Sequence, residues 1–286
     1  MDSQKKGILY VVSTPIGNLK DITLRALEVL KEVDIVAAED TRHSRKLFSR
    51  YDIKTRLISY YGAKEELRGD EVLKELRAGK KVALISDAGT PGISDPGYYL
   101  IKNAAEEGYD IFTIPGPSAL VSAITISGLP TARFVFEGFL PPKGSARRKR
   151  IEALKGEERA VVIYESPRRA VKTLKELLAA LGDRQAAMAR ELTKIHEELV
   201  RGTISDIIGR LEENGVRGEI TLIIAGEAEP AGEEDKTDRM NELIGRALAR
   251  KLPVRDAAEG IALELGLSKR EVYQSMVKLK NEGEKG

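Results

Sequence analysis

The sequence has no cysteine, no tryptophan, only two histidines and a net charge of just +2. Without cysteine there is neither a disulfide framework nor a thiolate metal centre, and His43 and His196 are too few for a usual zinc site, so no metal is expected. No stretch approaches the ~18 uninterrupted apolar residues of a membrane span. The start, Met1 to Lys6, runs straight into an apolar strand with no room for a signal peptide. The expectation is a cytoplasmic protein with no membrane partner. An aromatic fraction of 5% argues against an extended platform for stacking bases. Three familiar signatures are also missing. No G-x-G-x-x-G follows the first strand, and no G-x-S-x-G elbow occurs. In Gly138 to Ser145 the lysine precedes the second glycine, the wrong order for a P-loop.

What is present fits a soluble chain of about two domains: 286 residues, 42% apolar and 32% charged. The most informative stretch is Ser86-Asp87-Ala88-Gly89-Thr90-Pro91-Gly92-Ile93-Ser94-Asp95-Pro96-Gly97. It follows Lys81 to Ile85, a β-branched apolar run that reads as a buried strand. Glycines, prolines and aspartates at a strand's carboxyl end suit a loop whose backbone approaches a ligand. In an open α/β sheet small molecules bind there. A second such loop, Pro115-Gly116-Pro117-Ser118-Ala119, follows the next apolar run, Ile111 to Ile114.

Along residues 7–130 strands and helices alternate, which predicts a mostly parallel sheet covered by helices. Leu24, Leu27 and Leu30 are expected to form the buried stripe of the first helix. Gly128-Leu129-Pro130 marks a boundary. A second α/β unit follows, with strands near 134–137, 160–164, 186–190 and 219–225. Residues 229–238 are acidic, without apolar periodicity, and read as a linker. Beyond it, Met240 to Leu248, Ala257 to Leu265 and Val272 to Leu279 carry helical apolar spacing, and Ser268 to Glu271 is a capping box. The expected domains are therefore 1–128, 129–228 and a helix-turn-helix-like tail, 239–286, after the linker.

Six segments occur in order: Thr14-Pro15-Ile16-Gly17-Asn18-Leu19-Lys20-Asp21-Ile22-Thr23, Ala38-Glu39-Asp40-Thr41-Arg42, Ser86 to Gly97, Pro115 to Ala119, Tyr164-Glu165-Ser166-Pro167-Arg168-Arg169 and Arg190-Glu191-Leu192-Thr193-Lys194. Together they resemble the ribosomal RNA small subunit methyltransferase I family, of the tetrapyrrole-methylase-like class III S-adenosylmethionine-dependent methyltransferases. The resemblance covers about residues 7–226. It implies two α/β domains of the tetrapyrrole-methylase type with S-adenosylmethionine in the cleft between them, usually in a homodimer, plus a small all-α helix-turn-helix extension. It further implies methyl transfer to the ribose 2′-oxygen of a cytidine in the decoding region of 16S ribosomal RNA, free or in an assembled small subunit. One departure is visible. Where the family commonly has a His-rich segment, this chain reads Ser59-Tyr60-Tyr61-Gly62-Ala63-Lys64-Glu65-Glu66.

By that resemblance the cofactor layer is Asp87, Ala88, Gly89, Thr90 and Ile93, with Pro115, Ser118 and Ala119 beside it. Pro15 closes one side, and Leu192 and Thr221 join from the second domain. Methyl transfer to a hydroxyl needs orientation, removal of a weakly acidic proton and stabilisation of the developing alkoxide. Lys194 is the candidate near the alkoxide, with Asp40 or Glu191 orienting the substrate. Asp40 also reads as a helix N-cap, and Glu191 as a salt-bridge partner. Arg42, Arg45 and Lys46, then Arg147, Arg148, Lys149 and Arg150, then Arg168 and Arg169 are candidates for RNA phosphates. Two other readings fit parts of the pattern. One is a small-molecule methyltransferase of the same fold acting on a tetrapyrrole. The other is a ligand-sensing regulator that binds DNA through its tail.

Overall fold

The computed structural model describes residues 6–62, 65–215, 217–227, 233–249, 252–265 and 267–283. Two compact units emerge, Met1–Glu227 and Ala228–Gly286. The first unit begins with β1 (Ile8–Val12), α1 (Leu24–Glu32), β2 (Ile35–Ala38), α2 (Thr41–Arg50) and β3 (Arg56–Ser59). It continues with α3 (Glu65–Arg77), β4 (Lys81–Ile85), α4 (Tyr98–Glu106) and β5 (Asp110–Ile114). The five strands form one sheet in the order β3-β2-β4-β1-β5, and every neighbouring pair is parallel. β2 and β4 are apolar because helices cover both faces, as a parallel sheet demands. All four residues of β2 are buried.

Local chemistry starts the helices. The Thr23 hydroxyl accepts from Ala26 N at 3.1 Å to cap α1, and the Asp40 carboxylate accepts from Arg42 N at 2.8 Å to cap α2. Of the stripe expected on α1, Leu30 is buried but Leu24 is 80% exposed. The helix turns ~100° per residue, so the core-facing arc is centred on Ala26 and Leu30, and Leu24 falls outside it.

The second half of this unit comprises α5 (Ala119–Ser127), β6 (Phe134–Phe139), α6 (Gly144–Glu152), β7 (Ala160–Glu165) and α7 (Pro167–Leu181). After these come β8 (Gln185–Arg190), β9 (Glu198–Thr203), α8 (Ile204–Asn214) and β10 (Ile220–Ile224). Its sheet runs β6-β7-β10-β8-β9. Only β6 and β7 are parallel; the other pairs are antiparallel. The edge strand β9 is absent from the sequence reading, because Glu198-Leu199-Val200-Arg201-Gly202-Thr203 holds only two apolar residues. Partnership with β8 makes it a strand. The helix α5 precedes the boundary expected after residue 128, yet it packs against β8 and β10. Its Ala123 joins Ala160, Val162, Ala187, Ala189 and Ile223 in one buried cluster.

In the second unit, α9 (Glu233–Ala249), α10 (Val254–Leu265) and α11 (Lys269–Gly283) close on Ile244, Ala258, Val272 and Met276. The helix α9 starts inside the segment read as linker. A run of carboxylates suits the positive end of a helix dipole, a pattern that apolar periodicity alone does not register. Glu271 N donates to Ser268 Oγ at 3.2 Å, and that hydroxyl donates to Glu271 Oε2 at 3.0 Å. Residues 229–232 of the expected linker lie outside the described residues. No described helix is long and apolar enough to cross a membrane.

Candidate active site

The loops after β1 and β4 are tied together by backbone. Thr14 N donates to Gly89 O at 2.8 Å and Gly89 N to Thr14 O at 3.0 Å, with the Ser13 and Thr90 hydroxyls 2.8 Å apart beside them. Gly89 holds φ +81°, where a Cβ would still have ordinary room, 3.5 Å from Ile16 Cγ2. Backbone handedness, not crowding, requires glycine there.

This bridge separates two adjoining cavities. The first, about 320 Å³, is lined from the first sheet by Ala88, Gly89, Thr90, Ile93 and Asp95, and from α5 by Ser118 and Ala119. From the second sheet come Phe139, Tyr164, Ala189, Leu192 and Thr221. Register places Thr221 directly between Tyr164 and Ala189, so three strands present one row of side chains to the cavity. Tyr164 Oη accepts from Leu120 N at 2.9 Å, and the ring meets Phe136 and Phe139 edge-on, with centroids 4.9 and 5.7 Å away. Burial pushes the Tyr164 phenol up, keeping it neutral.

The second cavity, about 290 Å³, is lined by Pro15 and Gly17, by His43, Ser44 and Lys46 of α2, by Asp87, and by Lys194 and Glu219. Ile16, Ala88 and Glu219 line both cavities.

Three carboxylates crowd behind the bridge. Asp87 Oδ1 accepts from Asp40 N at 3.0 Å, and Glu39 Oε2 from Asp87 N at 3.4 Å. Burial raises Asp95 from 3.8 to about 6, with the charges of Glu39 and Asp87 adding to it. Glu39 is raised for the same reasons, burial first and then Asp87.

Lys194 sits opposite these acids. Its Nζ donates to Glu191 Oε1 at 3.0 Å and to Glu219 Oε2 at 2.8 Å. Partial burial opposes its charge, but the hydrogen bonds to Glu219 and Glu191 prevail and raise it above the ordinary lysine value. Burial likewise works against an ionised Glu191, and the Glu219 amide and Lys194 overcome it, leaving Glu191 below the usual carboxylate range. The loop that carries the pair is strained, since Glu191 and Thr193 hold φ of 50° and 66°. It docks on the β1 loop, where Asn18 N donates to Thr193 Oγ1 at 3.1 Å. A Cβ on Gly17 would lie 2.5 Å from Lys194 Cγ. Only glycine admits that approach.

The structure thus sorts the residues expected from sequence. Ala88, Gly89, Thr90, Ile93, Ser118, Ala119, Leu192 and Thr221 meet in the first cavity, whereas Pro15 and Asp87 line the second. Pro115 is exposed and lines neither, because its loop turns it away before α5 begins. Among the three catalytic candidates, only Lys194 lines a cavity. Glu191 stands behind it. Asp40 is spent as the α2 cap and clamped by Arg42, whose Nη2 is 2.8 Å from its Oδ2; Arg42 thereby holds Asp40 down at about 2.

The basic set divides too. Arg45, Arg148, Lys149 and Arg168 are exposed, and Lys46 lines the second cavity. Arg147 was expected at an RNA surface but is buried, 3% exposed. Its guanidinium donates to Glu176 Oε2 at 2.6 Å, to Thr173 Oγ1 at 2.7 Å and to Pro141 O at 3.0 Å. Thr173 passes the network to the buried Glu165 at 2.6 Å, which Arg169 Nε reaches at 2.7 Å. Arg150 is paired with Glu137, at 2.8 Å from Oε1. Arg147 and Arg169 therefore hold the second half together. Sequence reasoning missed His43, Tyr164, Phe139, Glu219 and Asp95 as cavity residues. Three of these, Tyr164, Asp95 and His43, lie in or next to the quoted motif segments, and that adjacency was the available signal.

Comparison with known proteins agrees with this fold. The sequence profile of Tetrapyrrole (Corrin/Porphyrin) Methylases matches residues 8–208. A protein of Synechocystis sp. named ribosomal RNA small subunit methyltransferase I is 45% identical over 282 residues, covering 97% of this chain and 100% of that one. A protein of the same name from Thermotoga maritima is 48% identical over 220 residues, 77% of this chain and 99% of that one. Among solved structures, the methyltransferase CobJ aligns with a TM-score of 0.60 at 17% identity, over 79% of this chain and 97% of that one. Uroporphyrin-III-C-methyltransferase from Thermus thermophilus aligns with 0.57 at 19% identity, over 77% and 94%. At such identities these structures speak for the fold.

Proposed function

The chain belongs to the tetrapyrrole methylase family and, within it, to the ribosomal RNA small subunit methyltransferase I group, and on that premise we propose that it methylates the ribose 2′-oxygen of a cytidine in the decoding region of 16S ribosomal RNA. The cofactor is S-adenosylmethionine, and S-adenosylmethionine-dependent methylation of ribosomal RNA follows from the family. The atom, the nucleotide and its region are the finer parts of the proposal.

The observation that supports it most is the pair of cavities meeting at Ile16, Ala88 and Glu219. The first suits the methyl donor. Gly89 lets backbone come close, Ala88, Ala119 and Ala189 leave width, and Thr90, Ser118 and Thr221 offer hydroxyls. Asp95 supplies a carboxylate for a cation. When bound, the donor offers a methyl group on a sulfonium, already a good leaving group. The second cavity takes the acceptor ribose beside Lys194. That ammonium stays charged and cannot act as the base, so its contribution is to stabilise negative charge developing on the hydroxyl oxygen. Lys46, Arg45, Arg148, Lys149 and Arg168 hold phosphates of the RNA, which give affinity and register. The protein acts as a homodimer; the free edge strand β5 leaves Phe112 46% exposed, in keeping with self-association.

Mass-spectrometric mapping of small-subunit RNA after incubation with enzyme and labelled donor tests the reading. A methyl on one ribose in the decoding region is expected. A methyl on a base, or none on RNA, refutes it.

Asp95 gives a pH test of the first cavity. Its folded pKa, about 6 against 3.8, lies above the unfolded one. The folded state therefore keeps a proton that the unfolded state has lost, and stability falls as pH climbs through this window. Asp95→Asn should melt a few degrees higher than the parent near pH 8 and no higher near pH 4. The parent should bind the cationic donor more tightly as pH rises through about 6, and the variant should not. Calorimetry and thermal melts at both pH values check this.

A further inference from the structure

Proton removal from the acceptor hydroxyl has no assigned residue, and three carboxylates of the motif segments are engaged elsewhere. Asp40 caps α2 under the Arg42 guanidinium. Glu191 Oε1 takes both Lys194 Nζ and Glu219 N, at 3.0 and 2.8 Å. Glu165 is buried and bonded on both oxygens, to Arg169 and Thr173. The second cavity itself contains few groups able to accept a proton. Lysine ammoniums only donate, which removes Lys46 and Lys194. Glu219 Oε2 lies 2.8 Å from Lys194 Nζ. Asp87 commits Oδ1 to Asp40 N at 3.0 Å. Asp87 and Glu219 each hold one of their two oxygens in such a bond, whereas the imidazole of His43 makes neither an ion pair nor a side-chain hydrogen bond among the described residues and is the cavity group most open to take a proton.

We propose that His43 is the general base of the transfer, taking the proton of the acceptor hydroxyl in the second cavity. This rests on the reading that this cavity takes the ribose. His43 lies on the first turns of α2, where Ser44 and Leu47 are buried against the sheet and His43 and Lys46 face the cavity. It is exposed, so an RNA strand can reach it without displacing core. The second histidine, His196, lines neither cavity. Charges facing His43 come from several elements: Glu39 at the end of β2, Asp87 after β4, Lys46 on its own helix, and Lys194 and Glu219 from the second half. Imidazole is the side chain whose basicity suits proton uptake near neutrality. The step balances. The hydroxyl oxygen forms the O–C bond, the C–S bond breaks with its electron pair on sulfur, and the hydroxyl proton passes to the imidazole. Lys194 stabilises the oxygen from the other side while this occurs.

The test uses full-length His43→Gln, His43→Ala and Asp87→Asn. Single-turnover methyl transfer to unmodified small subunits is followed from about pH 5.5 to about pH 9, with donor affinity measured separately by calorimetry. The proposal expects His43→Gln to lower the rate about 10²–10³-fold and to abolish the acidic limb of the pH profile. Donor affinity and melting temperature should stay as in the parent, and added imidazole should restore part of the rate to His43→Ala. Asp87→Asn should keep the limb. A His43→Gln rate within about threefold of the parent, well over an order below the smallest gain of about 10² from a positioned base, overturns the proposal. So does a limb that disappears in Asp87→Asn instead. A parent product methylated on a base refutes the underlying reading, and it is seen without any variant.

Discussion

Lys194→Met is expected to lower single-turnover methyl transfer by about 10²–10³-fold, the usual consequence of removing one preorganised group that stabilises developing oxyanion charge. Lys194 is the one cavity cation whose position the structure fixes twice, through Glu191 at 3.0 Å and Glu219 at 2.8 Å. A fixed charge needs no reorganisation during the reaction. Methionine keeps the length and the packing of the aliphatic stem against Gly17, so the strained loop should persist. Glu191 also keeps the Glu219 amide at 2.8 Å. Donor affinity by calorimetry should therefore match the parent, since the first cavity does not include Lys194. A fall in rate that merely followed a lowered melting temperature would assign Lys194 to structure alone.

Charge reversal at three consecutive positions on α6 should give two opposite phenotypes. Arg147→Glu places a carboxylate beside Glu176, Thr173 and, through it, Glu165, in a site that is nearly closed to water. Breaking a buried pair costs about 3 kcal/mol or more, which corresponds to a melting temperature lower by roughly 6–12 °C for a unit of this size. Arg148→Glu and Lys149→Glu alter only exposed side chains. They should melt like the parent, bind donor like the parent, and methylate subunits more slowly, with the deficit shrinking as salt is raised, because fewer phosphate contacts flatten the salt dependence. Thermal melts and salt-dependent rates separate the two classes. An Arg147→Glu protein as stable as the parent would contradict the buried network. Unchanged rates in Arg148→Glu and Lys149→Glu would remove α6 from the RNA surface.

Much of the site was legible in the chain. Glycine and proline after an apolar β-branched run mark a ligand loop wherever the sheet places it, so the loops 86–97 and 115–119 could be picked out from sequence, while Ala88 to Thr90 and Ser118-Ala119 were named by the family resemblance. The parallel sheet followed from alternating periodicities. Less legible was the division of the loops between two cavities. Asp87 and Ala88 are neighbours, yet Asp87 lines only the second cavity while Ala88 lines both. Asp95 was missed because its pressure to stay protonated arises from burial and then from Glu39, fifty-six positions away. His43 was passed over because the cavity it lines is closed by Lys194 and Glu219, from the other end of the unit.

The chain by itself determined its strands apart from β9, most helix limits and the loops that line the cavities, because periodicity, caps and turn chemistry act over a few residues. Tertiary structure alone decided which charges are free. Arg147 and Arg148 are identical in type and adjacent, but one helical step rotates the side chain by ~100°, burying the first against Glu176 and leaving the second in solvent. It also decided that Gly17 and Lys194 touch, a contact between loops of separate sheets that only the packing of those sheets creates.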